Sequence, residues 1–185
     1  VALAIIGGLL GVGAGVGGPD WLEARRGEAR AQVRAQGIPS KKQEGWRYTA
    51  LASLAEQGFQ PCVETLEAVQ SYDMEELLIP GLDAYRAVLV NGRFVAHLSD
   101  LNGFPDGVRA GSLNDVLGSD PDALAPLLSR VAGEGAPPFS ALNTAGMEDG
   151  FVLLLDEGVV LQRPVELIHL SIGMDEPRVA QPRHL

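Results

Sequence analysis

The side chains able to do chemistry are few and scattered. The chain holds one cysteine, Cys62, and three histidines, His97, His169 and His184. A zinc or iron–sulfur site needs thiolates or imidazoles at short, paired spacings. Here the histidines stand far apart, with no Cys or Asp at ligand spacing, so no metal-ligand set is expected. Cys62 lies in Gln60-Pro61-Cys62-Val63-Glu64, beside an acid and without a cation to favour a thiolate, which predicts an inert thiol. Carboxylates occur in adjacent pairs, Glu75-Glu76, Glu148-Asp149 and Asp156-Glu157. A general acid and base must converge on one reacting group, whereas neighbours on a strand point to opposite faces and neighbours in a turn point to water. Solvated charge is therefore expected for all three pairs. No serine has a partnered His in a recognisable motif, and the N-terminal glycines lack the Gly-Lys-Ser/Thr ending of a phosphate loop. The expected catalytic, cofactor-binding and metal sets are empty, and no enzyme is expected in this stretch.

What remains is a question of architecture and partners. A chain of 185 residues makes one ordinary domain, or a small domain and part of another. It is 46% hydrophobic with 23 glycines and a net charge of −10. That charge is segregated: residues 1–50 hold seven Lys or Arg against four acids, and residues 51–185 hold seven against twenty. Nucleic-acid binding rests on clustered cations that neutralise phosphates, so a body carrying −13 argues against it. A single cysteine allows no internal disulfide and suits a reducing compartment.

The first eighteen residues contain no polar side chain, and seven of them are glycine. As a membrane span they reach only the short end of about 17–25 residues, although Gly7, Gly11 and Gly15 have a helix-packing spacing. As a signal peptide they lack a basic leader. Each glycine costs a helix about 1 kcal/mol relative to Ala, which weakens both readings. Residues 1–18 are expected to be a disordered or artefactual leader.

Beyond it, Pro19-Asp20-Trp21 opens an amphipathic surface helix to Gln36, with Asp20 as cap, a seam of Leu22, Ala29 and Val33, and Glu23 and Glu28 pairing with the arginines around them. Gly37 and Pro39 stop it. Pro39-Ser-Lys-Lys-Gln-Glu-Gly-Trp-Arg-Tyr-Thr49 then brings cations and aromatics together; its aromatics are expected to pin a turn to a small core while its cations are solvated. Thr49 could cap a short helix over Ala50–Gln57, and Val63–Val69 is a short element of open type. Asn91-Gly92 between Arg86–Val90 and Arg93–Ala96 predicts a two-residue hairpin, with His97 at a strand end. Asp120 and Pro121 start a helix over Ala123–Val131. The Gly133–Pro138 break is the expected domain boundary. From Gly150 on, short apolar strands are expected at Phe151–Leu155, Val159–Leu161 and Val165–Ser171, with Val165, Leu167, His169 and Ser171 facing one side and Glu166, Ile168 and Leu170 the other. By spacing alone they suit either the rungs of a parallel β-helix or an antiparallel meander.

Three motifs in order carry a resemblance. Gly37-Ile38-Pro39 with Lys41-Lys42, Glu44 and Trp46-Arg47-Tyr48-Thr49 is similar to the signature of the SufB/SufD family of the Suf iron–sulfur cluster assembly complex, and of its SufD members in particular. Val90-Asn91-Gly92-Arg93-Phe94 followed by Leu98-Ser99-Asp100, and Phe139-Ser-Ala-Leu-Asn-Thr-Ala145, resemble two further family segments. The likeness runs from Trp21 to Leu185 and decides for the β-helix. It implies an α+β chain: a helix-rich domain with a hairpin over residues 19–135, then the first rungs of a right-handed parallel β-helix over 136–185, cut short as an N-terminal fragment. It implies a cytoplasmic, non-catalytic scaffold that pairs with SufB and the ATPase SufC and meets sulfur-delivery proteins. No cofactor is implied in this stretch, the iron–sulfur cluster belonging to the whole assembly. Two other classes remain open on the residues alone: the front of a secreted β-helix carbohydrate-active enzyme, and a membrane-tethered interaction module.

Overall fold

The computed structural model describes residues 17–51, 57–62, 74–131, 138–173 and 176–185. The leader up to residue 16, most of the helix expected over Ala50–Gln57, the element expected over Val63–Val69 and the Gly/Pro break at 133–137 lie outside the described residues.

Helix α1 spans Asp20–Gln36. The cap expected at Asp20 falls one residue earlier: Pro19 occupies the cap position, its carbonyl accepts the Leu22 amide at 2.8 Å, and no side chain caps. Proline cannot donate there, and Asp20 sits in the first turn, where its charge suits the positive end of the helix dipole. At the other end Gly37, with φ of 69°, donates to Val33 O at 2.8 Å. The buried stripe of α1 is Leu22, Arg26, Ala29 and Val33. Its small members meet Ala141 and Ala145 of helix α4 (Pro138–Gly146), which lets the two helix backbones come close.

Strand β1 is the short Gln60–Pro61. Strands β2 (Tyr85–Val90) and β3 (Arg93–Phe94) form the expected hairpin, with Asn91 and Gly92 at φ of 48° and 84°. Strand β4 (Val108–Ser112) runs antiparallel to β5 (Phe151–Leu155). Helix α2 (Leu113–Ser119) follows β4 directly, and its cap Ser112 accepts the Asp115 amide at 3.1 Å. Helix α3 covers Pro121–Val131, and Asp120 accepts from the Ala123 amide as its cap. Leu22, Leu113, Leu117, Leu124, Leu128, Met147 and Val152 close the apolar cluster beneath these elements.

Strand β6 (Val165–Leu170) pairs with β2 in parallel, Tyr85 opposite Val165 through Val90 opposite Leu170. The β2 strand is thus central, between β3 and β6. Ala87 and Leu89 pack with Phe151 on one face, and Val88 and Val90 with Val95 and Leu170 on the other. A parallel strand covered on both faces reads as a continuous apolar run, which Ala87–Val90 is. Asn91 does more than turn the hairpin: its side-chain oxygen accepts the Ile172 amide at 2.9 Å and continues the β2–β6 pairing. The strand expected at Val159–Leu161 is not formed. Gly158, with φ of 82°, turns the chain, and Pro164 follows too soon for a ladder to develop.

After β7 (Arg178–Val179), itself parallel to β1, the chain comes back beside β5. Arg183 N donates to Asp149 O at 3.0 Å, Leu185 N to Phe151 O at 3.1 Å, and Leu153 N to Leu185 O at 2.8 Å. The strand direction is parallel, because Leu185 both donates to Phe151 and accepts from Leu153. Gly150 is required at this crossing: a Cβ there would overlap the Arg183 carbonyl and lie 2.9 Å from its nitrogen.

Two outcomes follow from this packing. Gly150→Ala should lower the denaturation midpoint by the equivalent of about 1–3 kcal/mol, whereas Gly27→Ala, in α1 with open space around it, should gain up to about 1 kcal/mol; similar midpoints for the two would contradict the close crossing. Glu166 supplies a pH signature. It accepts from Arg86 Nε at 2.8 Å and from the Ile79 amide at 3.1 Å. The Arg86 guanidinium, aided by the Ile79 amide and opposed by burial, holds this carboxyl below its ordinary value. A depressed carboxylate contributes stability that is complete above the unfolded-state value and is lost as pH falls through the folded one. Denaturant titrations below about pH 5 should show a shallower loss of stability in Glu166→Gln than in the parent chain, and parallel slopes would refute the assignment.

Candidate functional site

The signature segment is a chain of tight turns. Ser40 O accepts from Gln43 N, Gln43 O from Trp46 N, Glu44 O from Arg47 N and Trp46 O from Thr49 N, all between 2.9 and 3.2 Å. Each turn fixes the next, so the segment keeps its shape despite exposure. Its two aromatics part company. Trp46 packs on Phe139 of α4, ring centroids 5.3 Å apart, as the expected pin. Tyr48 departs from that expectation: it is 92% exposed, and the Arg47 guanidinium lies 5.8 Å from its ring centroid. Lys41, Lys42 and Arg47 are exposed as well. Ile38, next to the segment, and Phe139, on which Trp46 packs, line an apolar cavity of about 320 Å³ together with Phe59, Leu142, Val179 and Pro182 among others.

The pair Glu148-Asp149 is not solvated, contrary to expectation. Glu148 forms an ion pair with Arg93. Asp149 is buried, and its carboxylate accepts from Ser112 Oγ at 2.8 Å, from the Asn114 amide at 3.1 Å and from the Phe94 amide at 2.9 Å. A buried carboxylate is tolerated where donors replace its lost water, and here β3, β4 and α2 supply them. The turn pair Asp156-Glu157 is exposed, as expected.

The histidines are not all separate either. His169 and His184 stand edge to face, ring centroids 5.0 Å apart, because the chain end that returns beside β5 brings His184 to a residue of β6. His184 Nδ1 accepts the Phe151 amide at 3.0 Å. Burial, then the neighbouring His169, push its imidazole below the ordinary histidine range. A pairing of rings so distant in sequence is invisible in a linear reading. His97 is exposed, in a 3₁₀ turn over Ala96–Leu98 and not at a strand end. Cys62 donates its amide to Val179 O at 3.2 Å and shares with Arg93 and Glu148 a crevice of about 10 Å³, room for one water at most. Among the described residues no group of three or more His, Cys, Asp or Glu is placed to hold a metal ion. Nor is any described helix long and apolar enough to cross a membrane.

What this geometry offers is an ordered basic–aromatic projection and, among the described residues, a strand β6 with a ladder on one side only. Comparison with known proteins agrees with the motif-level reading. The family model described as the SufBD protein N-terminal region matches residues 17–167. An iron–sulfur cluster assembly SufBD family protein of Synechocystis is 30% identical over 148 residues, which are 80% of this chain and 32% of that protein. The iron–sulfur cluster assembly protein SufD of Escherichia coli is 28% identical over 155 residues, 83% of this chain and 33% of that one. The chain thus spans about a third of the length of these relatives. With the match extending from the foot of α1 into β6, across the signature, the hairpin and the Asp149 junction, the chain belongs to the SufBD family of iron–sulfur cluster assembly proteins.

Proposed function

We propose that this chain is the N-terminal part of a non-catalytic, cytoplasmic scaffold subunit that pairs with a SufB homologue, works with the SufC ATPase and receives sulfur-delivery proteins. The cluster is cargo of the whole assembly, with no cofactor held by these residues. The observation that carries the reading is the winding of the chain after the Gly/Pro break. From β5 it passes through β6 and β7 and returns parallel to β5 at Arg183–Leu185. Sequential strands joined as a meander would run antiparallel. A parallel return after one circuit is what the first rung of a right-handed β-helix requires, and it supports that architecture for the longer protein. The boundary near 135/136 then marks the start of the coil, while β2–β6, β1–β7 and α1–α4 tie its first turn to the helical part.

This winding leaves β6 with a ladder on one side only among the described residues. An unpaired edge invites another strand, the kind of contact by which two sister coils, or successive rungs of one, associate. The relatives are named as iron–sulfur assembly proteins, which favours the scaffold over the carbohydrate-active alternative.

The test is co-expression of the complete gene product with SufB and SufC homologues, followed by affinity capture under reducing conditions and analytical ultracentrifugation. A single complex containing all three chains is expected. Failure of the protein to associate with either partner, with and without ATP, would overturn the scaffold reading.

A further inference from the structure

We infer that the Pro39–Thr49 projection and the cavity beside it form one docking surface for an acidic protein segment that carries a bulky apolar side chain. The cavity shares Val179 and Pro182 with the returning segment, but the inference goes beyond the scaffold reading, since the ligand is set by the cavity and the cations of Pro39–Thr49 and not by pairing between sister subunits. Continuity of the surface comes from two anchors. Ile38, at the start of the projection, lines the cavity, and Trp46, near its end, packs on Phe139, which lines the same cavity. Both ends of the basic stretch are thus fastened to the cavity wall, and Lys41 and Lys42 stand between them, exposed.

Each part selects a different feature of the ligand. The cavity, at about 320 Å³, falls at the lower end of the roughly 300–1,000 Å³ range of ligand pockets and is walled mainly by apolar side chains. It suits one large aliphatic or aromatic group. Asn143, the main polar side chain facing it besides Gln181, donates to Pro182 O at 2.8 Å and so holds the wall in place. In the projection that borders this apolar centre, the exposed cations Lys41, Lys42 and Arg47, against the one acid Glu44, call for carboxylates. Tyr48 and Arg47 are residue types that dominate binding at protein interfaces. A tyrosine ring left 92% exposed on an ordered turn has no folding role that its exposure would serve.

Charge decides the class of partner. The first fifty residues carry +3 and the remainder −13. A long polyanion such as nucleic acid would extend past the projection onto the acidic body and be repelled. A short acidic segment feels mainly the local cations, because screening limits exposed charges to about 8 Å at physiological ionic strength. Its apolar anchor supplies the affinity that surface charge alone does not.

The test is selection of short random peptides displayed on phage against the intact chain, followed by titration of the enriched peptides by fluorescence anisotropy. Enrichment of sequences combining several Asp or Glu with one Leu, Phe or Trp is expected. Their affinity should fall about tenfold or more in Tyr48→Ala and in Lys41→Glu/Lys42→Glu, and fall again when the peptide's apolar residue becomes Ala. The substituted side chains are all exposed, so the folded chain should be retained, with circular dichroism as the check. The inference fails if no acidic–apolar peptide is enriched, if those enriched bind the variants as well as the parent, or if a single-stranded oligonucleotide of equal charge binds more tightly.

Discussion

Asp149 and Gly150 are where the molecule is tied together. The Asp149 carboxylate gathers the Phe94 amide from β3, the Ser112 hydroxyl from the end of β4 and the Asn114 amide from the start of α2. The Asp149 carbonyl takes the Arg183 amide, and the Gly150 carbonyl takes the Leu113 amide. Two residues therefore place the hairpin, the β4–β5 pair, a helix start and the returning chain end in one register. The arrangement is demanding in both directions. A carboxylate in that position is stable only while its donors are present, since an unpaired buried charge costs several kcal/mol in rough terms, and each donor would in turn lose its partner with the carboxylate. Ser112 shows how closely the links are shared: its hydroxyl donates to Asp149 and accepts from Asp115 as the cap of α2.

A similar economy holds α1 to α4. Arg26 is 1% exposed on a helix face that is otherwise apolar, and its guanidinium donates to Glu23 at 2.6 Å and to Met147 O at 2.8 Å. Met147 directly follows the last residue of α4, so the cation meets the negative end of that helix and satisfies a carbonyl there. Small side chains on both helices create the close approach, and Arg26 fixes how far along each other they lie. Arg183 acts from the opposite direction, reaching Thr144 Oγ1 at 2.8 Å from the returning chain. Burial pushes its guanidinium below the ordinary arginine range.

What could be read in the sequence was whatever local chemistry decides. Asn91-Gly92 can adopt positive φ at both positions, Gly37 can end a helix, and Pro121 after Asp120 can start one; each did so regardless of its surroundings. The family signature was legible for the same reason, as a run of turn-forming and aromatic residues. The Val108–Ser119 stretch gave no such signal, because β4 exists only through its pairing with β5, and α2 is too short for periodicity to mark it. The buried role of Arg26 was hidden by its seeming place among the charges of an amphipathic helix. Asp149 was hidden by its neighbour Glu148, since adjacent acids look solvated until distant donors are known. His169 and His184 looked separate because only the turn of the chain through β7 brings them together. Tyr48 departs in the opposite sense: an aromatic in a signature motif suggests packing, and of this segment's two aromatics Trp46 packs while Tyr48 stays exposed.

These cases share a cause that bears on how the fold is specified. Among the described residues the apolar core is divided into four modest clusters, because the three small sheets formed by these residues each offer a limited face. Apolar contacts are non-directional, and small clusters of Ala, Val and Leu tolerate neighbouring registers with little penalty. The buried polar groups do not. Arg26 reaches a carbonyl 121 residues away, Glu166 an amide 87 residues away and Asp149 an amide 55 residues away. A slip of one residue in β6 would turn Glu166 away from Arg86 and Ile79, and expose Leu170 in its place. Buried ion pairs add little net stability over well-packed apolar residues, but breaking one partner is costly. It is this directional set of contacts that selects the register in which β2, β6 and the returning chain end pair.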